Sequence, residues 1–126
     1  MVFVGVDYGR KRTGIAVFRE GLVLPADPVL GSWSRILHRL GELAVGYEGI
    51  TVILGHPLSA LGKPTELSLE VEKFADWLRE SGYTVELVNE VGSSAAAGRL
   101  SGRNHRNGHV DSLAACEILK RYLNLI

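Results

Sequence analysis

Three acidic residues stand where carboxylates are costly to place. Asp7 closes the apolar run Val2-Phe3-Val4-Gly5-Val6, and a charge at the end of a buried segment needs compensation. Glu90 follows a second such run, Val85-Glu86-Leu87-Val88-Asn89. Asp111 opens a helical repeat. At about 100° per residue it shares a face with Ala115, Ile118 and Tyr122, opposite the polar stripe Glu117, Lys120, Arg121 and Asn124. Each acid has an ordinary alternative. Asp-x-Gly is good turn chemistry, and an acid near a helix N-terminus interacts favourably with the helix dipole. Gathered at one sheet edge, however, three carboxylates repel one another, and a hard divalent cation, Mg²⁺ or Mn²⁺, relieves that repulsion. Two such ions about 3.5–4 Å apart can activate a water and stabilise the leaving oxygen of a phosphodiester displacement.

A polyanionic substrate needs cations, and the charge balance at first argues against one: 14 Lys and Arg face 14 Asp and Glu over 126 residues. That neutrality averages over segregated blocks. Between Tyr8 and Arg19 lie Arg10, Lys11, Arg12 and Arg19 with no acid, and between Val91 and Val110 lie Arg99, Arg103, Arg106, His105 and His109, again with no acid. The acids concentrate from Glu66 to Glu90, where seven of them meet only Lys73 and Arg79. Such asymmetry can build a local positive surface while total charge stays at zero, although solvated loops and an exposed helix face give the same pattern.

The elements that must position these groups are legible in outline. Val2–Val6 reads as a buried strand, Thr13–Phe18 as a second, and Leu22–Leu24 as a third stopped by Pro25 and Pro28. Helical spacing then runs from Trp33 to Tyr47, with Ser32 as candidate N-cap. Ile50–Leu54 is a fourth strand, and Leu67, Val71, Phe74 and Leu78 mark a second helix ended by Gly82. Tyr83–Val88 is a fifth strand, residues 93–100 an Ala-rich helix, and Val110–Leu125 the last helix. The order β-β-β-α-β-α-β-α-α implies an α/β fold: a mixed five-stranded sheet with helices on its faces, forming one domain over residues 1–126. The lone Cys116 excludes an internal disulfide framework and suits a reducing compartment, with the thiol a small core residue. No apolar run is long enough to span a bilayer and no signal peptide is evident, so a cytoplasmic protein is expected. The loop from Leu58 to Pro64 is either a flap or a plain connection.

Four segments in register resemble the YqgF/RuvX family, RuvC-like nucleases of pre-16S ribosomal RNA with a ribonuclease-H-like fold, once described as Holliday-junction resolvases. They are Gly5-Val6-Asp7-Tyr8-Gly9-Arg10-Lys11-Arg12-Thr13-Gly14, Ile53-Leu54-Gly55-His56-Pro57-Leu58, Val88-Asn89-Glu90 with Ser93-Ser94, and Val110-Asp111-Ser112-Leu113-Ala114-Ala115. The resemblance implies that Asp7, Glu90 and Asp111 are catalytic, metal-binding carboxylates. It implies that Arg10, Lys11, Arg12, Arg99, Arg103, Arg106 and His109 meet nucleic acid. Three positions depart from the family pattern: Asn89 replaces a common Asp, Val91 a common Arg, and His109 a common Lys.

The implied partner is nucleic acid, precursor ribosomal RNA ahead of branched DNA, with no membrane partner; monomer and homodimer both remain open. A binding protein without turnover is a further reading, motivated by Asn89 and Val91. Asp7-x-Gly9 with Gly14 and Ala16 also resembles the phosphate loop of actin-like ATPases and sugar kinases. Those proteins close two related domains around a nucleotide, which 126 residues do not supply.

Overall fold

The computed structural model describes residues 2–89 and 109–125, the first three residues of the last helix by their backbone alone. β1 (Val2–Asp7), β2 (Arg12–Arg19) and β3 (Leu22–Leu30) form an antiparallel meander. Helix α1 (Trp33–Leu43) leads to β4 (Ile50–His56), and helix α2 (Glu66–Glu80) to β5 (Thr84–Asn89). Helix α3 (His109–Tyr122) follows. The sheet order is β3-β2-β1-β4-β5, with β1, β4 and β5 parallel. The C-terminal ends of those three strands, at Asp7, His56 and Asn89, therefore lie at one edge.

Strand alternation sorts the side chains into two layers. Val2, Val4 and Val6 join Ile36, Leu40, Val71, Phe74 and Leu78 in a core beneath α1 and α2. On the opposite face Ala16 and Ile53 pack with Ala115, Cys116, Ile118 and Leu119 of α3, flanked by Phe3, Phe18 and Val88. The Phe74 ring anchors the first layer, with centroids 5.1 Å from Tyr8 and 5.2 Å from Trp33. Truncating a fully buried Phe to Ala typically costs about 3–5 kcal/mol.

Several expectations are refined. β3 does not stop at Pro25 but continues through both prolines to Leu30. It is an edge strand, where a missing N–H need not break the ladder. Ser32 occupies the N-cap of α1 without a side-chain cap bond, whereas α2 has a full capping box. There Thr65 Oγ1 accepts from the Ser68 amide at 3.0 Å, and Ser68 Oγ accepts from the Thr65 amide at 2.7 Å. Thr65 Oγ1 also donates to the Pro57 carbonyl at 2.8 Å, tying the helix start to the end of β4. The loop after β4 folds on itself, with the Ser59 amide donating to the Lys63 carbonyl at 2.9 Å. Cys116 is buried, as expected, and burial pushes its thiol pKa up. The expected helix over 93–100 lies outside the described residues.

One contact sets the depth of α3. A Cβ on Gly5 would lie 2.6 Å from the Ala115 carbonyl oxygen and 3.0 Å from the Leu119 Cβ. The helix backbone can occupy that space only because residue 5 has no side chain. Gly5→Ala should force α3 off the sheet and cost about 1–3 kcal/mol, the usual penalty for overpacking. Urea unfolding would show it as a lower midpoint at unchanged slope; an unaltered midpoint would mean that α3 moves freely at this point.

Candidate active site and its support

Asp7 is the last residue of β1 and is half-buried. Phe3 and Gly5 face α3, and Asp7 has the same parity along the strand. Its β2 partner in register is Gly14. On the other side the pairing of Val6 with Leu54 makes Gly55 the next position of β4, and Gly55 pairs with Val88. The row across the sheet is thus Gly14, Asp7, Gly55, Val88, with the acid between two residues that have no side chains.

Helix α3 crosses the same face of the sheet obliquely. Ser112 Oγ donates to the Ala26 carbonyl of β3, the Ala115 carbonyl covers Gly5 of β1, and the Tyr122 hydroxyl reaches Glu86 of β5. Asp111 is the third residue of α3, one turn before Ala115. The helix start carrying His109 and Asp111 directly precedes Ser112, which is fastened to β3 on the sheet face that Asp7 shares. Glu90, Arg99, Arg103 and Arg106 lie outside the described residues, as do the side chains of His109 and Asp111. Among the described residues no three His, Cys, Asp or Glu side chains form a metal-holding group.

The basic turn after Asp7 is built tightly. A Cβ on Gly9 would sit 2.2 Å from the Arg12 carbonyl oxygen, and Thr13 Oγ1 donates to the Gly9 carbonyl at 3.3 Å. Lys11 and Arg12 are exposed. The Lys11 carbonyl accepts from the Gly31 amide at 3.2 Å, and Arg12 pairs with Leu30 in the sheet. The Arg10 Nε lies 3.0 Å from Glu70 Oε1 on α2, so its charge is engaged.

Glu70 also accepts from the Tyr8 hydroxyl at 2.5 Å through its other oxygen, and Trp33 Nε1 donates to the same hydroxyl at 3.0 Å. Burial, and then the bond to Glu70, raise the Tyr8 pKa against the opposing donation from Trp33. The Tyr8 bond, with Arg10 behind it, lowers the Glu70 pKa against a smaller desolvation effect. The two shifts agree: the proton stays on Tyr8 and the negative charge on Glu70. Two residues further along α2, Glu72 Oε2 meets His56 Nε2 at 2.9 Å at the end of β4. Sequence reasoning misses Tyr8, Trp33, Glu70 and His56 as parts of one support. The acid block on α2 is visible in the sequence; its partners some 60 residues upstream are not.

A five-stranded mixed sheet in this order, with helices on both faces, is the architecture of the ribonuclease-H-like class. The chain belongs to the RuvX family, whose model, described as a Holliday junction resolvase, matches residues 1–125. A relative from Prosthecochloris aestuarii, named "Putative pre-16S rRNA nuclease", is 35% identical over 96% of this chain and 92% of its own length. A relative of the same name from Oleidesulfovibrio alaskensis is 36% identical over 99% and 93%. The fold is also that of T. thermophilus RuvC in a complex with a Holliday junction substrate, with TM-score 0.55 and 15% identity over 99% of this chain and 96% of that one. No helix among the described residues is long and apolar enough to cross a membrane.

The lowered pKa of Glu70 gives a pH signature. A carboxylate whose folded pKa is depressed contributes stability above its unfolded pKa and loses it as pH falls through the folded value. The difference in unfolding free energy between the wild type and Glu70→Gln should be constant above about pH 5.5, an unfolded Glu titrating near 4.3, and should shrink in more acidic solution. Chemical denaturation across pH 3–7 checks this; a difference that grows on acidification would contradict the assigned charge state.

Proposed function

We propose that this chain is a metal-dependent phosphodiesterase of structured nucleic acid, acting as one nuclease domain in the cytoplasm on precursor 16S ribosomal RNA. The observation that supports the reading is the close approach of α3 to β1 at Gly5, on the sheet face that the Asp7 position shares. Glu90 is the residue directly after β5 and follows Val88, the residue in Asp7's row, by two positions. The donor set of Asp7, Glu90 and Asp111 is carboxylate oxygen throughout, the chemistry that Mg²⁺ or Mn²⁺ prefers. A cation held by these three residues supplies charge neutralisation and an activated water.

The rest of the work falls to the protein. β1 carries Asp7 and α3 carries Asp111, and the glycines beside Asp7 add no side chains to its row. Lys11 and Arg12 offer exposed charge to phosphates next to the acid, with Arg99, Arg103, Arg106 and His109 extending the contact without reading sequence. Arg10, engaged by Glu70, is assigned to holding the turn more than to binding the substrate. The names of the relatives support RNA. The description of the family model supports a second reading, cleavage of branched DNA, on the same site.

Asp7→Asn should reduce Mn²⁺-dependent cleavage of a precursor-like structured RNA by about 100-fold or more, since metal-assisted charge stabilisation is worth several kcal/mol. Cleavage at the wild-type rate would overturn the proposal. Parallel assays on a four-way DNA junction decide the substrate: faster cleavage of the junction than of the RNA would favour the second reading.

A further inference from the structure

Both strand ends nearest the acidic edge are fastened from the far side of the sheet by one helix. Glu70 of α2 holds the segment after β1 through Tyr8 and Arg10, and Glu72 of α2 holds the end of β4 through His56. The attachment is rigid for three further reasons. The capping box at Thr65 and Ser68 fixes the first turn of α2, and Thr65 ties that turn to Pro57. The rings of Tyr8, Trp33, Phe74 and Trp77 pack in a continuous cluster, with centroid spacings of 5.1–5.5 Å along the contacts Tyr8–Phe74, Phe74–Trp33 and Trp33–Trp77. The Tyr8 hydroxyl is held between an acceptor and a donor and has little freedom to turn.

Tyr8 directly follows Asp7, and successive residues of an extended chain point to opposite faces. Fixing the Tyr8 side chain under α2 therefore fixes the direction in which the Asp7 carboxylate leaves the other face. We propose that Glu70 is a positioning residue for the carboxylate site: acting through Tyr8, it sets the orientation of Asp7, and Glu72 does the same for the neighbouring strand end through His56. None of these residues touches the reacting atoms. Residues that orient metal ligands from behind typically change metal affinity or activity by 10–100-fold when altered. The inference rests on the reading of Asp7 as a metal ligand.

The experiment compares Tyr8→Phe and Glu70→Gln with the wild type, using Asp76→Asn as control because Asp76 is exposed and pairs with exposed Arg79 on the same helix. Mn²⁺ binding is measured by the electron paramagnetic resonance signal of free Mn²⁺ without RNA. Cleavage of a precursor-like RNA then gives kcat and KM separately. Circular dichroism checks that each variant is folded, and Tyr8→Phe, which removes one oxygen, preserves the ring packing. Roughly tenfold weaker Mn²⁺ binding and a similar fall in kcat, at unchanged KM, are expected for both variants and not for Asp76→Asn. Wild-type Mn²⁺ binding in Tyr8→Phe and Glu70→Gln would overturn the inference. So would a raised KM at unchanged Mn²⁺ affinity, which would make the Glu70–Arg10 pair an RNA contact. Asp7→Asn measured alongside separates the two levels: if it too binds Mn²⁺ and turns over normally, the proposed function itself falls.

Discussion

Everything at the acidic edge depends on how closely α3 can lie on β1. A methyl group at residue 5 would enter the space of the Ala115 carbonyl, so the helix is seated on bare backbone. Asp111 lies one turn before Ala115 along α3, and Asp7 two residues after Gly5 along β1. The second hydrophobic layer, with Ile53, Ala115, Ile118 and Leu119 at its centre, presses the helix down, and Gly5 determines where it stops.

The opposite face supplies orientation. Acids that look like excess charge on α2 are largely committed to partners: Glu70 to Tyr8 and Arg10, Glu72 to His56, Asp76 to Arg79. This changes what the balance of 14 against 14 means. Arg10 of the first basic segment is paired with Glu70 while it remains exposed, as Lys11 and Arg12 are.

Period and turn chemistry made the meander, both crossover strands and the amphipathic helices legible in the sequence. Other features depend on pairings that no local pattern encodes. The run of β3 through Pro25 and Pro28 became possible because that strand lies at the edge, a fact of sheet order. The reach of Glu70 to Tyr8 depends on how α2 lies under the sheet, and a run of acids at helical spacing reads equally well as a solvated face. The glycines flanking Asp7 become neighbours only through the register of three strands.

Whether Asp7, Glu90 and Asp111 make one site is tested most directly by crystals soaked in Mn²⁺ and measured at the manganese absorption edge. Anomalous density bounded by these three carboxylates is expected. Density confined to other acids, such as Glu70 and Glu72 on the far face, or no ordered density at a saturating concentration, would contradict it.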